Sequence, residues 1–509
     1  MRNRLFSALL SLVVSACTYT SHDQYRGTLS PIPPIAVLDL EKRASVDDGT
    51  GKLECSEKLF RQRSIEKFRS PKGEVFTIGV IELSDDGHIK DIRQRDEVFR
   101  ELRHVARGGD TATSSSPGAV VVTFVHGWHH RAKVCDENLS CYRRVMEGLV
   151  DRKDDRANKG PVFGIYIGWR GESAHKATAL TFYNRKAAAH FVGSLGGRDL
   201  LLELNQIQQS LDHEVRAVSN GDKYVNMVTV GHSFGGALVY SAIESLKVSE
   251  YAGKDAVGYP ACESTGVKPV RYGIGDLVVL VNPAFEAYRY RYFADDLGSS
   301  GTYSTDQRPI LLTVASTADQ AVGQAFPAGR SIWLTWHPNA WSDASAQTTG
   351  LGHYSPYTTH KLLFNGQAEK PNDETPLTDQ KAIDACGLKK EVEEGLARAT
   401  CECSYPVYAL ASSSSGPSPS GHSDSPQQLK EGSGAVHALR NQDVTLQPLS
   451  PKWDKHAPFI VASAPGNLIS GHNDIYNPNF IMFLIGYINS NLPGPGPGKL
   501  AVDEMPACR

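Results

Sequence analysis

The sequence predicts an α/β fold in which a mostly parallel central sheet has helices on both faces. Three observations lead to this prediction. Short runs rich in β-branched and other apolar residues are apolar on both faces, as strands are when both faces of a parallel sheet are covered. Longer stretches with helical periodicity alternate with these runs. The chain has 509 residues, of which 40% are hydrophobic, and this suffices for a large buried core.

Five apolar runs are expected to form strands of that sheet. They cover residues 120–125, 162–169, 224–230, 276–281 and 309–315. Helices are expected around residues 95–106 and over 176–212, where apolar residues recur at helical spacing. Ahead of the first run, "EVFTIGVIEL" and "GHIKDI" are expected to form a hairpin through the turn sequence "SDDG".

The alternation of strands and helices is interrupted late in the chain. Residues 366–450 are polar and include the low-complexity segment 412–426. A strand at 458–464 follows, and then a helix with Pro478 in its first turn. We therefore expect a long insertion before the last strand of the sheet.

These features divide the chain into six predicted parts. They are a signal peptide at residues 1–16, a polar tether at 17–70, the core at 71–365 and an insertion at 366–450. The last strand and helix of the core follow at 451–492, with a tail at 493–509. The tether is predicted from its irregular polar composition and from the prolines of "SPIPP".

The first residues have the pattern of an export signal. Two arginines precede an apolar run from Leu5 to Val14, which is too short to span a bilayer because a transmembrane helix needs about 20 residues. The end of the signal, "VSAC", resembles the lipobox of bacterial lipoproteins. The resemblance implies cleavage before Cys17 and attachment of lipid, such as palmitate, to that cysteine. Since Thr18 follows instead of Asp, it also implies an anchor in the outer membrane of the bacterial cell envelope.

Eight cysteines remain besides Cys17, and this even number is compatible with disulfides in an oxidising envelope. They are Cys55, Cys135, Cys141, Cys262, Cys386, Cys401, Cys403 and Cys508. Cys135 and Cys141 are close enough in sequence to close a local loop, whereas the connectivity as a whole stays open. No two cysteine pairs stand at zinc-finger spacing, so no metal is expected.

The charge of the chain is nearly balanced, with a formal net charge of −3. A nucleic-acid-binding domain would need clustered Lys and Arg, and the sequence does not suggest such a cluster. Nucleic acid is therefore not an expected partner.

The segment Gly231-His232-Ser233-Phe234-Gly235 fits the pattern G-x-S-x-G of a nucleophile elbow. In that motif the serine sits on a strained turn between a strand and a helix, where bulky neighbours would clash. The buried run "YVNMVTV" precedes the motif and the helical "ALVYSAIESLK" follows it. This context favours a nucleophilic serine over a purely structural glycine turn.

A nucleophilic serine needs donors for the oxyanion that forms on its substrate. The pattern places one donor at the backbone N–H that follows the serine, here Phe234, and the other in the loop after an earlier strand. That loop is "HGWHH", and we expect the second donor to be the Trp128 N–H. His126 is expected to shape the loop, and the two later histidines are expected to be solvated.

Several motifs together resemble a group of largely uncharacterised bacterial and fungal proteins of the α/β-hydrolase fold. They are "HGWHH", "IGWRG", "TFYNRKAAAHFVG", "GHSFGGALVYSA", "NPAFEAYRY" and "FPAGR". The resemblance covers residues 70–365 and 450–490, and it implies the α/β-hydrolase fold and a serine hydrolase without naming a substrate. The insertion "CDENLSC" departs from the pattern of the group.

In this fold the triad follows the order serine, acid, histidine along the chain. Asp319 comes directly after the fifth apolar run, which is the usual position of the acid, and Glu286 after the fourth run is the alternative. His472 lies between the late strand and the final helix, as the triad histidine should. His353 is its alternative, although no clear strand precedes it.

These residues predict a serine hydrolase that cleaves carboxylic esters, esterase-like or lipase-like, through an acyl-enzyme and without a cofactor. The expected partners are a small-molecule or lipid ester and, through the lipid anchor, a membrane. Two alternatives stay open. The chain is a non-catalytic surface lipoprotein that uses this fold as a binding module, or a peptidase, thioesterase or phospholipase with the same triad. Acyl-chain preference and oligomeric state are not predicted.

Overall fold

The computed structural model describes a large part of the chain, with gaps. The described residues are 24–27, 37–39, 63–109, 117–134, 136–153, 156–171, 178–252, 267–268, 271–298, 302–327, 344–365, 444–450, 453 and 456–495. Within them, eleven strands form one sheet and two short strands form another. The predicted signal peptide and the low-complexity segment lie outside the described residues. The architecture is α/β, with a mostly parallel sheet between two layers of helices.

The described strands are numbered along the chain. They are β1 Val37–Asp39, β2 Ile65–Arg69, β3 Val75–Glu82, β4 Ala119–Val125, β5 Val162–Gly168, β6 Val225–His232, β7 Val267–Lys268, β8 Leu277–Val281, β9 Thr302–Tyr303, β10 Leu311–Ser316, β11 His360–Phe364, β12 Val444–Pro448 and β13 Phe459–Ala464. The five apolar runs and the late strand correspond to β4, β5, β6, β8, β10 and β13, so these predictions are confirmed.

The described α-helices are numbered in the same way. They are α1 Ile92–Ala106, α2 Glu137–Asp151, α3 Thr178–Val192, α4 Arg198–Ser219, α5 Phe234–Ala252, α6 Arg291–Gly298, α7 Ala344–Thr348 and α8 Pro478–Asn491. A π-helical turn, Gly193–Gly197, joins α3 to α4, so the predicted long helical region is continuous. Pro478 occupies the first turn of α8, as predicted.

The large sheet has the strand order β1-β2-β3-β5-β4-β6-β8-β10-β13-β11-β12. Its strands pair in parallel except at β2 with β3 and at β11 with β12. In register, His232 at the end of β6 lies beside Val281 of β8, and Ser316 of β10 lies beside Ala464 of β13. The carboxyl ends of the central strands therefore meet at one edge of the sheet.

Alternation along the central strands separates two buried layers. Val120 and Phe124 of β4 pack in the layer that contains α2 and α8, whereas Val121 and Val125 pack in the layer that contains α1, α4 and α5. Successive side chains of a strand point to opposite faces, so apolar residues on both faces of a strand fit a sheet covered on both sides. This pattern is the physical basis of the fold prediction.

The predicted hairpin at the start of the fold is wrong in its second strand. Leu83 and Ile89 form one isolated antiparallel bridge, and the segment "GHIKDI" continues into α1. Asp91 caps that helix, because its carboxylate accepts a hydrogen bond from the Arg93 N–H at 3.0 Å. A side-chain acceptor at this position satisfies a helical N–H, so the helix begins before a second strand can extend.

The predicted tether and insertion also need correction at their boundaries. Residues 24–27 pack against the core, and β1 and β2, which fall within 17–70, are strands of the large sheet. At the other boundary, β12 lies within the predicted insertion 366–450 and pairs with β11 in antiparallel register. Polar composition suggested exposed chain in both places, whereas specific hydrogen bonds hold these short segments.

A buried ionic cluster holds the N-terminal segment in place. The Glu66 carboxylate accepts hydrogen bonds from Arg26 Nη1 at 2.7 Å and from Arg143 Nε and Nη2 at 2.8 and 2.7 Å. All three side chains are fully buried. The Glu82 carboxylate accepts hydrogen bonds from the backbone N–H groups of Tyr25 and Arg26, and burial raises the pKa of Glu82 above its usual range. The cluster thus joins the N-terminal segment to β2, β3 and α2.

We predict that Glu66→Gln lowers the free energy of unfolding by about 3–5 kcal/mol, because it leaves two buried guanidinium groups without their shared carboxylate. Chemical denaturation measures this change. The matched control is Asp96→Asn, which removes an exposed carboxylate paired with Arg95 and should cost about 0–1 kcal/mol. Equal losses in the two variants would contradict the structural role of the cluster.

Candidate active site

Ser233 stands at the turn between β6 and α5 with a left-handed backbone conformation. Its φ is 55°, a value that residues other than glycine rarely adopt. The flanking glycines permit the turn: a Cβ at Gly235 would lie 2.1 Å from the Val125 carbonyl oxygen, and one at Gly231 would lie 2.9 Å from the Gly235 carbonyl oxygen. These close approaches explain why the segment needs glycine on both sides of the serine.

The structure brings Ser233, His472 and Asp319 together. Ser233 Oγ lies 2.7 Å from His472 Nε2, and His472 Nδ1 lies 2.8 Å from Asp319 Oδ2. Asp319 follows β10, and His472 lies in the loop between β13 and α8. The three side chains come from segments up to 239 residues apart in sequence and meet at the carboxyl edge of the sheet.

Asp319 is fixed in an orientation that leaves one oxygen for the histidine. Its Oδ1 accepts a hydrogen bond from the Val322 N–H at 3.0 Å, while Oδ2 faces His472. Burial alone would raise the pKa of Asp319, but the hydrogen bond and charge of His472 hold it below its usual range. The acid therefore stays ionised beside the imidazole, and with the Nδ1–H donated to Asp319 the Nε2 atom is free to accept from Ser233.

Two further residues of the site hold the His472 backbone. The His232 Nε2–H and the Asn282 side-chain N–H both donate to the His472 carbonyl oxygen, each at 2.9 Å. Asn282 has a φ of 44°, and its Oδ1 accepts the Ser316 N–H at 2.8 Å. Burial lowers the pKa of His232 to about 3, so its ring stays neutral. Sequence reasoning missed both roles, since neither residue type in its local pattern indicates a partner about 190 or more residues away.

The loop after β4 lies against the elbow. A Cβ at Gly127 would lie 2.9 Å from Ser233 Cβ, and the rings of Trp128 and Phe234 have centroids 6.0 Å apart. Within the described part of the chain, the backbone N–H groups of Trp128 and Phe234 have no hydrogen-bond acceptor. These are the two N–H groups that the sequence predicted as oxyanion donors, and that role stays a prediction.

His126 shapes this loop, as expected. It is fully buried, its Nδ1–H donates to the Gly127 carbonyl oxygen at 2.9 Å, and its Nε2 accepts the Trp169 N–H at 3.1 Å. Burial lowers its pKa to about 4, which keeps the acceptor nitrogen unprotonated. The expectation of solvated neighbours is wrong for His130, whose Nδ1 lies 3.2 Å from Asp136 and whose pKa that carboxylate raises despite burial.

The alternative triad residues are placed differently. Glu286 accepts a hydrogen bond from Lys186 Nζ at 2.6 Å, and both side chains are less than 10% exposed. A buried ion pair therefore accounts for Glu286. The His353 ring packs beside Gly323, and within the described residues no hydrogen bond joins it to Ser233.

The described residues hold no group of three or more His, Cys, Asp and Glu side chains that could bind a metal ion. None of the described helices has the length and apolar character needed to cross a bilayer. Cys141 is buried and disulfide-bonded, but Cys17, Cys135 and the other cysteines lie outside the described residues. Lipidation and the pairing of Cys135 with Cys141 therefore stay predictions.

Asp474 forms hydrogen bonds within the loop that carries His472. Its Oδ2 accepts hydrogen bonds from the backbone N–H and the hydroxyl of Ser470, at 2.7 and 2.9 Å. Burial raises the pKa of Asp474 from its ordinary value to about 6, because the apolar surroundings disfavour the charged form.

We predict that Ser233→Gly is more stable than Ser233→Ala by about 1 kcal/mol, because only glycine relieves the left-handed strain at this position. Both variants lack the hydroxyl, so the difference in their free energies of unfolding reports the backbone strain alone. Chemical denaturation of the two variants measures the difference. An alanine variant as stable as the glycine variant would contradict the strained turn.

We predict that Asp474 makes the stability of the protein depend on pH near 6. Since the folded pKa is raised above the unfolded value, the group stabilises the fold fully below about pH 4, and this stability is lost as the pH rises through 6. The variant Asp474→Asn lacks the titration, so the wild type should lose about 1–2 kcal/mol relative to it between pH 4.5 and 7.5. Denaturation of both proteins across that range gives the difference, and parallel pH profiles would contradict the raised pKa.

Comparison with known proteins does not assign the chain to a family. No family model matches it, and no curated protein matches it. Among solved structures, the crystal structure of wild-type T. brucei arginase-like protein in a reduced form is similar over 45% of this chain and 77% of that chain, with 13% sequence identity and a TM-score of 0.16. A similarity with so low a score supports neither a fold nor an activity.

Proposed function

We propose that this protein is a serine hydrolase that cleaves carboxylic esters through an acyl-enzyme on Ser233. The observation that carries the proposal is the hydrogen-bonded series Ser233–His472–Asp319, with distances of 2.7 and 2.8 Å, on a serine with a left-handed backbone. A nucleophile, a base that can take its proton and a third group that orients the base are the parts that acyl transfer requires.

The proposed reaction uses each of these groups in turn. His472 Nε2 accepts the Ser233 proton as Oγ attacks the carbonyl carbon of the ester, and Asp319 stabilises the imidazolium that forms. The Trp128 and Phe234 N–H groups, which have no acceptor within the described chain, donate to the oxyanion. The imidazolium then protonates the leaving alcohol, and water activated by His472 hydrolyses the acyl-enzyme. No step requires a cofactor.

We also propose that the architecture is the α/β-hydrolase fold. Support comes from the sharp serine turn between β6 and α5, from the order of serine, acid and histidine along the chain, and from strand crossovers that place β5 and β4 in reversed order within the sheet. The position of the acid after β10 and of the histidine between β13 and α8 agrees with the same pattern.

The proposed location is the bacterial cell envelope, with a lipid anchor on Cys17 and attachment to the outer membrane. The Gln24 side-chain N–H donates to Asp91 at 3.3 Å, and six residues, 18–23, separate Gln24 from Cys17. Such an anchor would keep the enzyme near membrane esters.

Other acyl-transfer activities use the same groups. A peptidase, thioesterase or phospholipase would need the same triad and the same oxyanion donors, so the geometry favours none of them over an esterase. A binding module without catalysis would need none of these groups in hydrogen-bonded order, and this favours an enzyme.

We predict that the protein hydrolyses p-nitrophenyl esters and that Ser233→Ala abolishes both this activity and covalent labelling by a fluorophosphonate. A series from short to long acyl chains separates an esterase from a lipase. Labelling that survives Ser233→Ala would refute the nucleophile. A wild type that neither labels nor hydrolyses any ester would favour the binding module.

Matched substitutions of the alternative residues accompany this test. Asp319→Asn should reduce kcat by about 10³–10⁴, whereas Glu286→Gln should leave kcat within about tenfold. Likewise, His472→Ala should remove activity, and His353→Ala should retain most of it. The reverse order within either pair would replace the corresponding member of the proposed triad.

A further inference from the structure

An apolar cavity lies between α2, α8 and the sheet, on the face of β4 and β6 that points away from α5. The space open to the centre of a water-sized sphere is about 80 Å³. Its wall is formed mainly by aliphatic and aromatic side chains, among them Val122, Val228 and Leu484. Such a space would hold several water molecules by size, but a mainly apolar wall offers them few hydrogen-bond partners.

The lining of the cavity extends along the strands and along the last helix. Its wall extends along β4 from Val120 to Phe124, about 13 Å at roughly 3.3 Å per residue. Along the last helix it extends from Phe480 to Leu492, about 18 Å at roughly 1.5 Å per residue. This length and the mainly apolar lining suit an extended alkyl chain.

A buried cation stands at one end of the cavity. Arg156 lines the wall near the amino ends of the strands and is 3% exposed. Its Nη1 and Nη2 donate only to the Gly160 carbonyl oxygen, each at 3.2 Å, and its buried Nε has no partner among the described residues.

Among the described residues, no carboxylate neutralises the charge of Arg156. Within the described chain it takes part in no ion pair, and Glu74, the acid whose charge acts on it, lies 3.4 Å from Lys153 Nζ. Burial lowers the pKa of Arg156 to about 10, which reflects the cost of holding the charge there. A buried guanidinium with a free donor at the end of an apolar channel is complementary to a carboxylate that carries an alkyl chain.

We propose that this cavity binds a long-chain fatty carboxylate, with its carboxylate on Arg156 and its alkyl chain along β4 and α8. The far end of the cavity reaches Ile475 and Tyr476, which follow His472 in the same loop. The site is separate from Ser233, and its occupation does not require catalysis. If the protein is an esterase, the ligand belongs to the chemical class of its acyl product, and a bound chain packs against the loop of His472.

The test measures binding of cis-parinarate, a fluorescent fatty carboxylate, to the purified chain and its displacement by dodecanoate, dodecanol and butanoate. Dodecanoate should displace it at a concentration at least tenfold lower than dodecanol, because only the acid pairs with Arg156. Butanoate should not displace it, because it fills little of the channel. Absence of parinarate binding, or equal displacement by the acid and the alcohol, would overturn the proposal.

Two kinds of variant locate the site. Arg156→Gln should weaken parinarate binding at least tenfold and remove the preference for acid over alcohol, whereas Arg156→Lys should keep part of both. Val122→Phe fills the channel without changing the guanidinium and should also weaken binding. If Arg156→Gln does not fold, the acid–alcohol comparison on the wild type and the binding measured with Val122→Phe still test the proposed site.

Ser233→Ala distinguishes this site from the proposed active site. It should abolish ester hydrolysis, if the proposed function is right, and leave parinarate affinity unchanged. Affinity that falls in Ser233→Ala and is unaffected by Val122→Phe would place the fatty acid at Ser233 and overturn the separate site. Because the binding measurements need no turnover, they stand even if no ester is hydrolysed.

Discussion

The parallel register of the central strands is the constraint on which the candidate site depends. Ser233, Asp319 and His472 lie far apart in sequence, and they meet because β6, β10 and β13 end at the same edge of the sheet. In a strand a shift of one residue moves every side chain to the opposite face. Such a shift would break hydrogen bonds of 2.7 and 2.8 Å that leave little tolerance in position. The covered apolar faces of the strands fix this register, so the core and the site are specified by the same side chains.

Much of this arrangement follows from local sequence. The runs that form β4, β6 and β10 carry apolar residues on both faces, and the glycines around Ser233 indicate a turn in which no Cβ fits. Asp319 and His472 follow from the position of strand ends, because polar side chains after parallel strands gather at one edge. The sequence also left Glu286 open, since it follows the fourth apolar run, and His353, although no clear strand precedes it. The ion pair with Lys186 accounts for the charge of Glu286.

What the sequence did not reveal depends on contacts between distant segments. Arg26 lies in a stretch whose composition suggests a tether, yet it is fully buried. It pairs there with Glu66 on β2, which also binds Arg143 from α2. Asn282 and His232 hold the His472 carbonyl oxygen across about 190 and 240 residues of chain. Hydrophobic periodicity and turn preferences do not predict such pairs, because nothing in the sequence around either residue points to its distant partner.

The buried charged side chains of the described residues differ in whether a side chain of opposite charge binds them. Moving an ion out of water costs several kcal/mol, and the fold recovers this only where an opposite charge and hydrogen bonds are supplied. Arg26 and Arg143 share Glu66, and Lys186 pairs with Glu286. Arg156 is equally buried, but among the described residues it has only a carbonyl oxygen as acceptor. An anionic ligand at the end of the apolar channel would supply the opposite charge that Arg156 lacks among the described residues.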